Sequence, residues 1–148
     1  MKQVLVSLLV VSVTLFVSCA TTSTVEQNPK TQQWLVEEQS IPEGKALVFL
    51  YRPTAFFYWP ITFMVHANEK PIVPISNGGY YRYAADPGKT RFWGQTSTVD
   101  SIEVEIEAGQ VYYIKCQVVG LTEVSHPKLT LMPKEKGRQG IINCSLIQ

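Results

Sequence analysis

Apolar and polar residues alternate with a period of two along several short stretches of this chain. Residues 101–107 alternate Ile or Val with Ser or Glu, and residues 61–67 alternate in the same way. Successive side chains of a strand point to opposite faces, so this pattern predicts strands with one face in a core and one in water. The continuous apolar run 46–51 instead predicts a strand that is covered on both faces.

Glycine, proline and asparagine predict turns between these stretches. Asn77-Gly78-Gly79 and Asp86-Pro87-Gly88-Lys89 enclose a run rich in tyrosine, and an aromatic run at residues 91–96 follows. Gly supplies positive φ and Pro fixes φ near −65°, which suits tight turns. Tyr, Phe, Trp and Thr favour strands. The middle of the chain is therefore predicted to be turn, strand, turn, strand.

Residues 101–107 and 111–119 form the clearest predicted hairpin, joined by Ala108-Gly109-Gln110. Tyr112, Ile114, Cys116 and Val118 would share the inner face of its second strand. The remaining expected elements are a short edge strand at residues 72–75, strands at residues 128–132 and 141–147, and a charged link at residues 133–140. About eight or nine short strands without a long helical period predict an all-β fold, a single antiparallel β-sandwich of prealbumin or immunoglobulin type.

The first residues of the chain have the pattern of a secretory signal. Lys2 is the only charged residue before Glu26, an apolar run spans residues 4–17, and Ser18-Cys19 follows it. The run is too short to span a membrane as a helix. A cysteine directly after a small residue resembles the lipobox of bacterial lipoproteins. The resemblance implies cleavage after Ser18 and acylation of Cys19, for example with palmitate; the alternative is an ordinary signal peptide with a chance cysteine.

These features divide the chain into three parts. Residues 1–18 are the expected signal peptide, residues 19–42 a Thr/Ser-rich tether on the lipid anchor, and residues 43–148 the β-sandwich domain. Within the tether, residues 31–40 are expected as a short strand or turn at the domain edge. Ala20 rather than Asp after the cysteine resembles the sorting signal for the outer membrane, so we expect the periplasmic face of the outer membrane.

The charge balance argues against nucleic acid as a partner. The chain has 13 Lys and Arg residues against 12 Asp and Glu residues. Removal of residues 1–18 takes Lys2 with it and leaves 12 against 12. A neutral domain lacks the basic patch that attracts a phosphate backbone. The expected partners are the membrane, through the lipid anchor, and an envelope protein.

The order of turn and strand signals resembles a known family. The signals are Tyr51-Arg52-Pro53, Asn68-Glu69-Lys70, Asn77-Gly78-Gly79-Tyr80, Asp86-Pro87-Gly88-Lys89 and Ala108-Gly109-Gln110-Val111-Tyr112-Tyr113. From about Lys45 to Val119 the chain is similar to the bacterial lipoprotein domain called domain of unknown function 2846. The resemblance implies a β-sandwich on a lipid anchor, and it carries no catalytic or binding residues to transfer.

Few residues suggest catalysis. His66 and His126 have no evident partner in the sequence, and Glu103, Glu105 and Glu107 are predicted to form a solvated strand face rather than a metal site. The sequence contains no G-x-S-x-G, H-E-x-x-H, C-x-x-C or P-loop motif. We therefore expect no catalytic residues, no metal and no cofactor. The alternative is an envelope enzyme with a pocket around His66 or His126.

The run Phe56-Phe57-Tyr58-Trp59 lies in a predicted connection, where polar residues are usual. These rings either fold over the end of the sandwich as a lid or form an exposed apolar patch. Such a patch usually marks a contact with a partner, a ligand or a membrane. The sequence therefore predicts a non-catalytic binding or structural module with this loop as its working surface.

Two cysteines remain once Cys19 carries lipid. Cys116 and Cys144 lie in apolar stretches, and an even number of cysteines in an oxidising compartment predicts a disulfide between them. The alternative is two buried thiols, because free Cys packs as a small hydrophobic residue.

Overall fold

A computed structural model of the chain describes residues 36–121 and 124–148. The expected signal peptide, Cys19 and most of the expected tether lie outside the described residues. The described elements are β1 (Ala46–Tyr51), β2 (Phe63–Ala67), β3 (Lys70–Ile75), β4 (Gly79–Ala85), β5 (Gly88–Gln95), β6 (Val99–Ile106), β7 (Val111–Leu121), β8 (Val124–Met132), α1 (Lys134–Ile141) and β9 (Ser145–Leu146). Residues 36–39 are also helical. Within this part of the chain, no helix is long and apolar enough to cross a membrane.

The strands form two sheets that pack face to face. One sheet has the order β8-β7-β1-β4-β9, and the other has the order β3-β2-β5-β6. The predicted all-β sandwich is therefore confirmed, including β3 at a sheet edge. Most strand pairs are antiparallel as expected, but β1 pairs with β7 and β4 pairs with β9 in parallel.

β1 is the centre of the larger sheet and is buried along its whole length. Ala46, Val48 and Leu50 face the other sheet and join the core between the two sheets. Leu47, Phe49 and Tyr51 alternate with them and join a second cluster, on the outer face of the larger sheet, which includes Ile141 of α1. The prediction of a strand covered on both faces is confirmed, since a helix covers the face that the second sheet does not.

The predicted hairpin of residues 101–119 is wrong. β6 pairs with β5 in the smaller sheet, whereas β7 pairs with β1 and β8 in the larger sheet. The turn crosses between the sheets because the N–H of Gly109 donates to the carbonyl of Lys45 (2.8 Å) and the N–H of Leu47 donates to the carbonyl of Gln110 (2.9 Å). The inner faces were assigned correctly: Ile106 and Ile114 meet in the same core from opposite sheets.

The C-terminal prediction is also corrected. The charged link expected at residues 133–140 is α1, and the closing strand expected at residues 141–147 is reduced to β9. Gly137 and Ile141 lie one turn apart and form the buried face of the helix. A Cβ atom on Gly137 would lie 2.3 Å from Cγ of Tyr113, so this glycine allows the helix to pack closely on the sheet.

Residues 36–41, expected as part of the tether, pack on the domain. Glu38 is buried, and its carboxylate accepts two hydrogen bonds from Arg138, from Nε to Oε2 (2.9 Å) and from Nη2 to Oε1 (2.8 Å). Lys134 forms an ion pair with the same carboxylate at 3.0 Å. Ile41 packs on the second cluster. The beginning of the described chain is therefore attached to α1, and residues 36–39 are helical rather than a strand or turn.

Candidate functional site

The strand directions place the connections at two opposite ends of the sandwich. Tyr51 at the end of β1 pairs with Tyr80 at the start of β4, and Phe63 at the start of β2 pairs with Ile75 at the end of β3. One end, here called the aromatic end, carries the connections 52–62, 76–78, 96–98 and 142–144. The opposite end, here called the charged end, carries the connections 41–45, 68–69, 86–87 and 107–110.

The aromatic loop, residues 53–61, presents large rings to solvent. Phe56, Phe57 and Trp59 are 85%, 76% and 63% exposed, and Tyr58 is partly buried. The rings of Phe56 and Phe57 pack edge to face, with their centroids 5.5 Å apart. Of the two alternatives drawn from the sequence, the exposed patch describes the structure and the lid does not.

A buried arginine organises the backbone of this loop. Arg52 follows β1 and is 2% exposed. Its Nη2 donates to the carbonyl of Tyr58 (2.7 Å), and its Nη1 donates to the carbonyl of Ile61. The N–H of Ile61 donates to the carbonyl of Tyr58 (3.1 Å), and Tyr58 has φ of 60°. The guanidinium therefore fixes a tight turn that directs the neighbouring rings outward.

Asn77 fixes the first half of the loop. The N–H of Ala55 donates to Oδ1 of Asn77 (2.9 Å), and Nδ2 of Asn77 donates back to the carbonyl of Ala55 (3.1 Å). Gly78 adopts φ of +70°, and a Cβ atom there would lie 2.8 Å from Oγ1 of Thr54. Both halves of the loop are thus held by side chains from outside it, so the rings are exposed on a fixed backbone.

The two ends of the sandwich differ in charge. Residues 53–62, 76–78, 96–98 and 142–144 at the aromatic end contain no Asp, Glu, Lys or Arg. Each connection at the charged end contains at least one charged residue: Glu43 and Lys45, Glu69, Asp86, and Glu107. The β7–β8 turn contains Thr122-Glu123, which lie outside the described residues.

Further apolar side chains are exposed towards the aromatic end. They are Val36, Met64, Val99, Val119, Val124 and Leu146. Except for Val36, which precedes the strands, all of them lie within two residues of a strand end at this side, whereas the exposed Leu131 lies near the opposite end of β8. The apolar exposure is therefore a property of one whole end of the domain and includes more than the loop.

The two histidines lie on different sheets and are not brought together. The ring of His66 in β2 stacks on Trp93 in β5, with centroids 3.9 Å apart and an angle of 6° between the planes. Nε1 of Trp93 donates to the carbonyl of Asn68 (2.7 Å). In β8, Nδ1 of His126 is 2.9 Å from Oγ1 of Thr98. Both rings belong to strand surfaces, and among the described residues Nδ1 of His66 is buried without a hydrogen-bond partner.

The glutamates in β6 and directly after it form an exposed face with a basic neighbour. Glu103 forms an ion pair with Lys89 across the strand pair at 2.8 Å, and its hydrogen bond raises the pKa of Lys89 above the usual value. Glu105 and Glu107 are exposed on the same side of the strand. In the described ranges, no group of three or more His, Cys, Asp or Glu residues is arranged to hold a metal ion.

Cys116 and Cys144 are both free and buried, so the predicted disulfide is not formed. Cys116 packs in the core between the sheets, whereas Cys144 packs in the second cluster beneath α1. The larger sheet therefore separates the two thiols. Burial raises the pKa of Cys116 to about 12 and that of Cys144 to about 11, which disfavours the reactive thiolate.

Sequence reasoning missed the residues that hold the loop. Arg52 was noted only as part of a strand ending, and Asn77 only as a turn residue. Charged residues are almost never fully buried unless they are paired, so an arginine at this position is expected to be exposed. Nothing in the sequence marked Arg52 as internal. The aromatic content of residues 56–59 was the one signal that pointed to this end of the domain.

Residues 42–126 match the family model described as "Protein of unknown function (DUF2846)", so the chain belongs to this family. The suspected resemblance is thereby confirmed. The matched range contains the aromatic loop together with Arg52 and Asn77, whereas α1 and β9 lie beyond it. A comparison with curated proteins finds no match.

Proposed function

We propose that this protein is a lipid-anchored, non-catalytic binding module of the cell envelope, and that the aromatic loop is its contact surface. The observation that carries the proposal is the fixed backbone beneath the exposed rings. Arg52 and Asn77 hold the loop at Tyr58 and Ala55, while Phe56, Phe57 and Trp59 remain in water.

Such a loop is suited to binding for two physical reasons. A backbone that is already ordered loses little entropy when it docks. Aromatic rings bury a large area with few rotatable bonds, and Trp and Tyr are frequent at the energetic centres of interfaces. Rings that only stabilised the fold would be inside the core, where Phe49 and Tyr113 stack with centroids 5.1 Å apart.

The lipid anchor is part of the proposal and rests on the sequence. Cys19 follows a signal-like apolar run and a small residue, and it is proposed to carry the acyl groups at the periplasmic face of the outer membrane. Two or more acyl chains hold a protein stably on a bilayer, whereas one chain holds it only marginally. Replacement of Cys19 by Ser should leave the protein unprocessed or release it from membranes. A processed Cys19→Ser protein that still sediments with membranes would contradict the anchor.

The contact surface can be tested in intact cells with a photoreactive residue at position 57. We expect light-dependent adducts from position 57, because the side chain of Phe57 is largely exposed to solvent. The matched control is the same residue at position 105, since Glu105 is exposed on the smaller sheet. Equal adduct yields at the two positions would show that the loop is ordinary surface and would contradict the proposed role.

A further inference from the structure

We infer that the surface contacted by the aromatic loop is the lipid bilayer that holds the anchor, so that the aromatic end of the sandwich docks on phospholipid. This inference rests on the proposed lipid anchor at Cys19 and goes further by naming what the loop binds. Three observations on the domain carry it: where the chain enters, how the loop backbone is bonded, and where charge is placed.

The described chain enters the domain at the aromatic end. The hydroxyl of Tyr80 donates to Oε2 of Glu37 (3.0 Å), and Tyr80 pairs with Tyr51 at this end. Arg82, two residues further along β4, donates to the carbonyl of Ser40. Residues 37–40 therefore run along β4 towards the charged end. Val36, the first described residue, therefore lies on the side of the aromatic loop.

The distance from the domain to the anchor is limited by the length of the intervening segment. Cys19 precedes Val36 by 17 positions, and a fully extended chain of that length spans at most about 60 Å. Glu38 is held by Arg138 and Lys134, so the entry point does not swing freely on the domain. The N-terminal attachment point of the domain therefore lies at the aromatic end, the end that the inference brings to the bilayer.

The bonding of the loop suits an apolar medium. A backbone placed in hydrocarbon must satisfy its polar groups internally, because no water is present to do so. The N–H and carbonyl of Ala55 both bond to Asn77, and the carbonyls of Tyr58 and Ile61 both accept from Arg52. The N–H of Ile61 is also used within the loop. Five polar backbone groups of the loop are therefore paired within the protein, and the remaining ones can stay hydrated at the level of the lipid headgroups, where the rings would lie.

The charge pattern suits contact with lipid. The described connections 53–62, 76–78, 96–98 and 142–144 contain no charged side chain, so docking of these connections on a bilayer removes no charge from water. Two carboxylates near this end already accept hydrogen bonds within the protein. Glu37 accepts one from the hydroxyl of Tyr80, and Asp100 accepts one from the N–H of Leu129 (2.7 Å). Trp and Phe are residues that favour the membrane interface.

Quenching of tryptophan fluorescence by brominated lipid tests the inference. The chain has three tryptophans, so Trp34→Phe with Trp93→Phe leaves Trp59 as the single reporter. The matched control is Trp34→Phe with Trp59→Phe, which leaves Trp93, a half-buried residue bonded to Asn68 next to the charged end. Each processed, full-length protein is reconstituted in phosphatidylethanolamine and phosphatidylglycerol vesicles that contain dibromo-phosphatidylcholine, and the vesicles are recovered by flotation.

We expect Trp59 to shift its emission to shorter wavelength and to be quenched severalfold more strongly than Trp93. Protein that floats with the vesicles but shows equal, weak quenching of both reporters would overturn the docking and leave the anchor intact. Protein that does not float would overturn the anchor and the docking together. In a second experiment, Phe57→Asp is introduced into the protein that keeps all three tryptophans. This substitution should lower the quenching by brominated lipid, and unchanged quenching would also count against the inference. A position-57 adduct to a protein, with no quenching in vesicles, would assign the loop to a protein partner instead.

Discussion

Replacement of Glu38 by Gln should loosen the attachment of residues 36–41 to α1. The carboxylate is 5% exposed and accepts two hydrogen bonds from Arg138 and an ion pair from Lys134. Gln has nearly the same shape, so the change removes the charge and leaves the packing in place. It therefore isolates the electrostatic contribution of this site, which attaches residues 36–41 to α1.

The expected cost follows from these contacts. Hydrogen bonds to charged groups contribute roughly 1.5–3 kcal/mol each. Arg138 and Lys134 keep part of their side chains in water, which lowers that contribution. We expect Glu38→Gln to reduce the free energy of unfolding by about 2–3 kcal/mol, which for a domain of this size lowers Tm by about 10 °C. Glu105→Gln, at an exposed strand position, should change Tm by very little.

The effect should depend on pH in a defined direction. Burial alone raises the pKa of Glu38, but the hydrogen bonds from Arg138 and Lys134 outweigh it and hold the pKa below 4.5. The folded state therefore binds this proton more weakly than the unfolded state does. Its stabilising contribution is complete above the unfolded-state pKa and is lost as the pH falls through the folded-state pKa.

Chemical unfolding of the wild-type protein, Glu38→Gln, Arg138→Met and the double variant measures the coupling directly. We expect a coupling of at least about 1 kcal/mol between the two sites at pH 7, decreasing below about pH 4. Additive effects of the two substitutions, or a difference between wild type and Glu38→Gln that stays constant down to pH 3, would refute this reasoning.

Three further predictions concern the rings, the helix and the thiols. Trp59→Ala should leave Tm nearly unchanged because the ring is largely in water. Its control, Phe49→Ala at a fully buried position, should lower the free energy of unfolding by about 3–5 kcal/mol. A large drop in Tm for Trp59→Ala would show that the loop is part of the core. Gly137→Ala should lower the free energy of unfolding in denaturant by about 1–3 kcal/mol, because its Cβ would overlap Tyr113. The control is Gln139→Ala at an exposed helix position. Equal effects of the two substitutions would contradict the close packing of α1. Cys116 and Cys144 should resist a thiol reagent in the native protein and both react after unfolding, and their failure to react after unfolding would indicate a disulfide after all.

Local patterns in the sequence were sufficient to predict most of the strands and their inner faces. The apolar run of β1 reflects burial of both strand faces, and the alternation in β2 and β6 reflects burial of one face. Both patterns can be read from residues adjacent in the sequence. Pairing does not follow from such patterns. Gly109 makes a tight turn in either a hairpin or a crossing between sheets, and the choice depends on its bond to Lys45, more than sixty residues earlier in the chain.

The helix and the loop contacts were missed for related reasons. Gly137 and Gly140 in the sequence suggested a link, whereas they are the positions where α1 approaches Tyr113 and Tyr51. Arg52 is buried only because the loop folds its carbonyls onto the guanidinium. Both features depend on tertiary contacts, and tertiary contacts override local propensity. The aromatic residues were visible in the sequence, but their exposure could be decided only by the fold.

Hydroxyl-radical labelling of the aromatic loop in intact cells tests the central claim most directly. The reference is the Cys19→Ser protein in solution, where Phe56, Phe57 and Trp59 should be oxidised readily because they are exposed. In cells that carry the anchored protein, we expect these rings to be protected, while Leu131, which is exposed in β8 away from the loop, is oxidised equally in both samples. Rings that are oxidised to the same extent in the anchored and the released protein would show that the loop contacts nothing in the envelope.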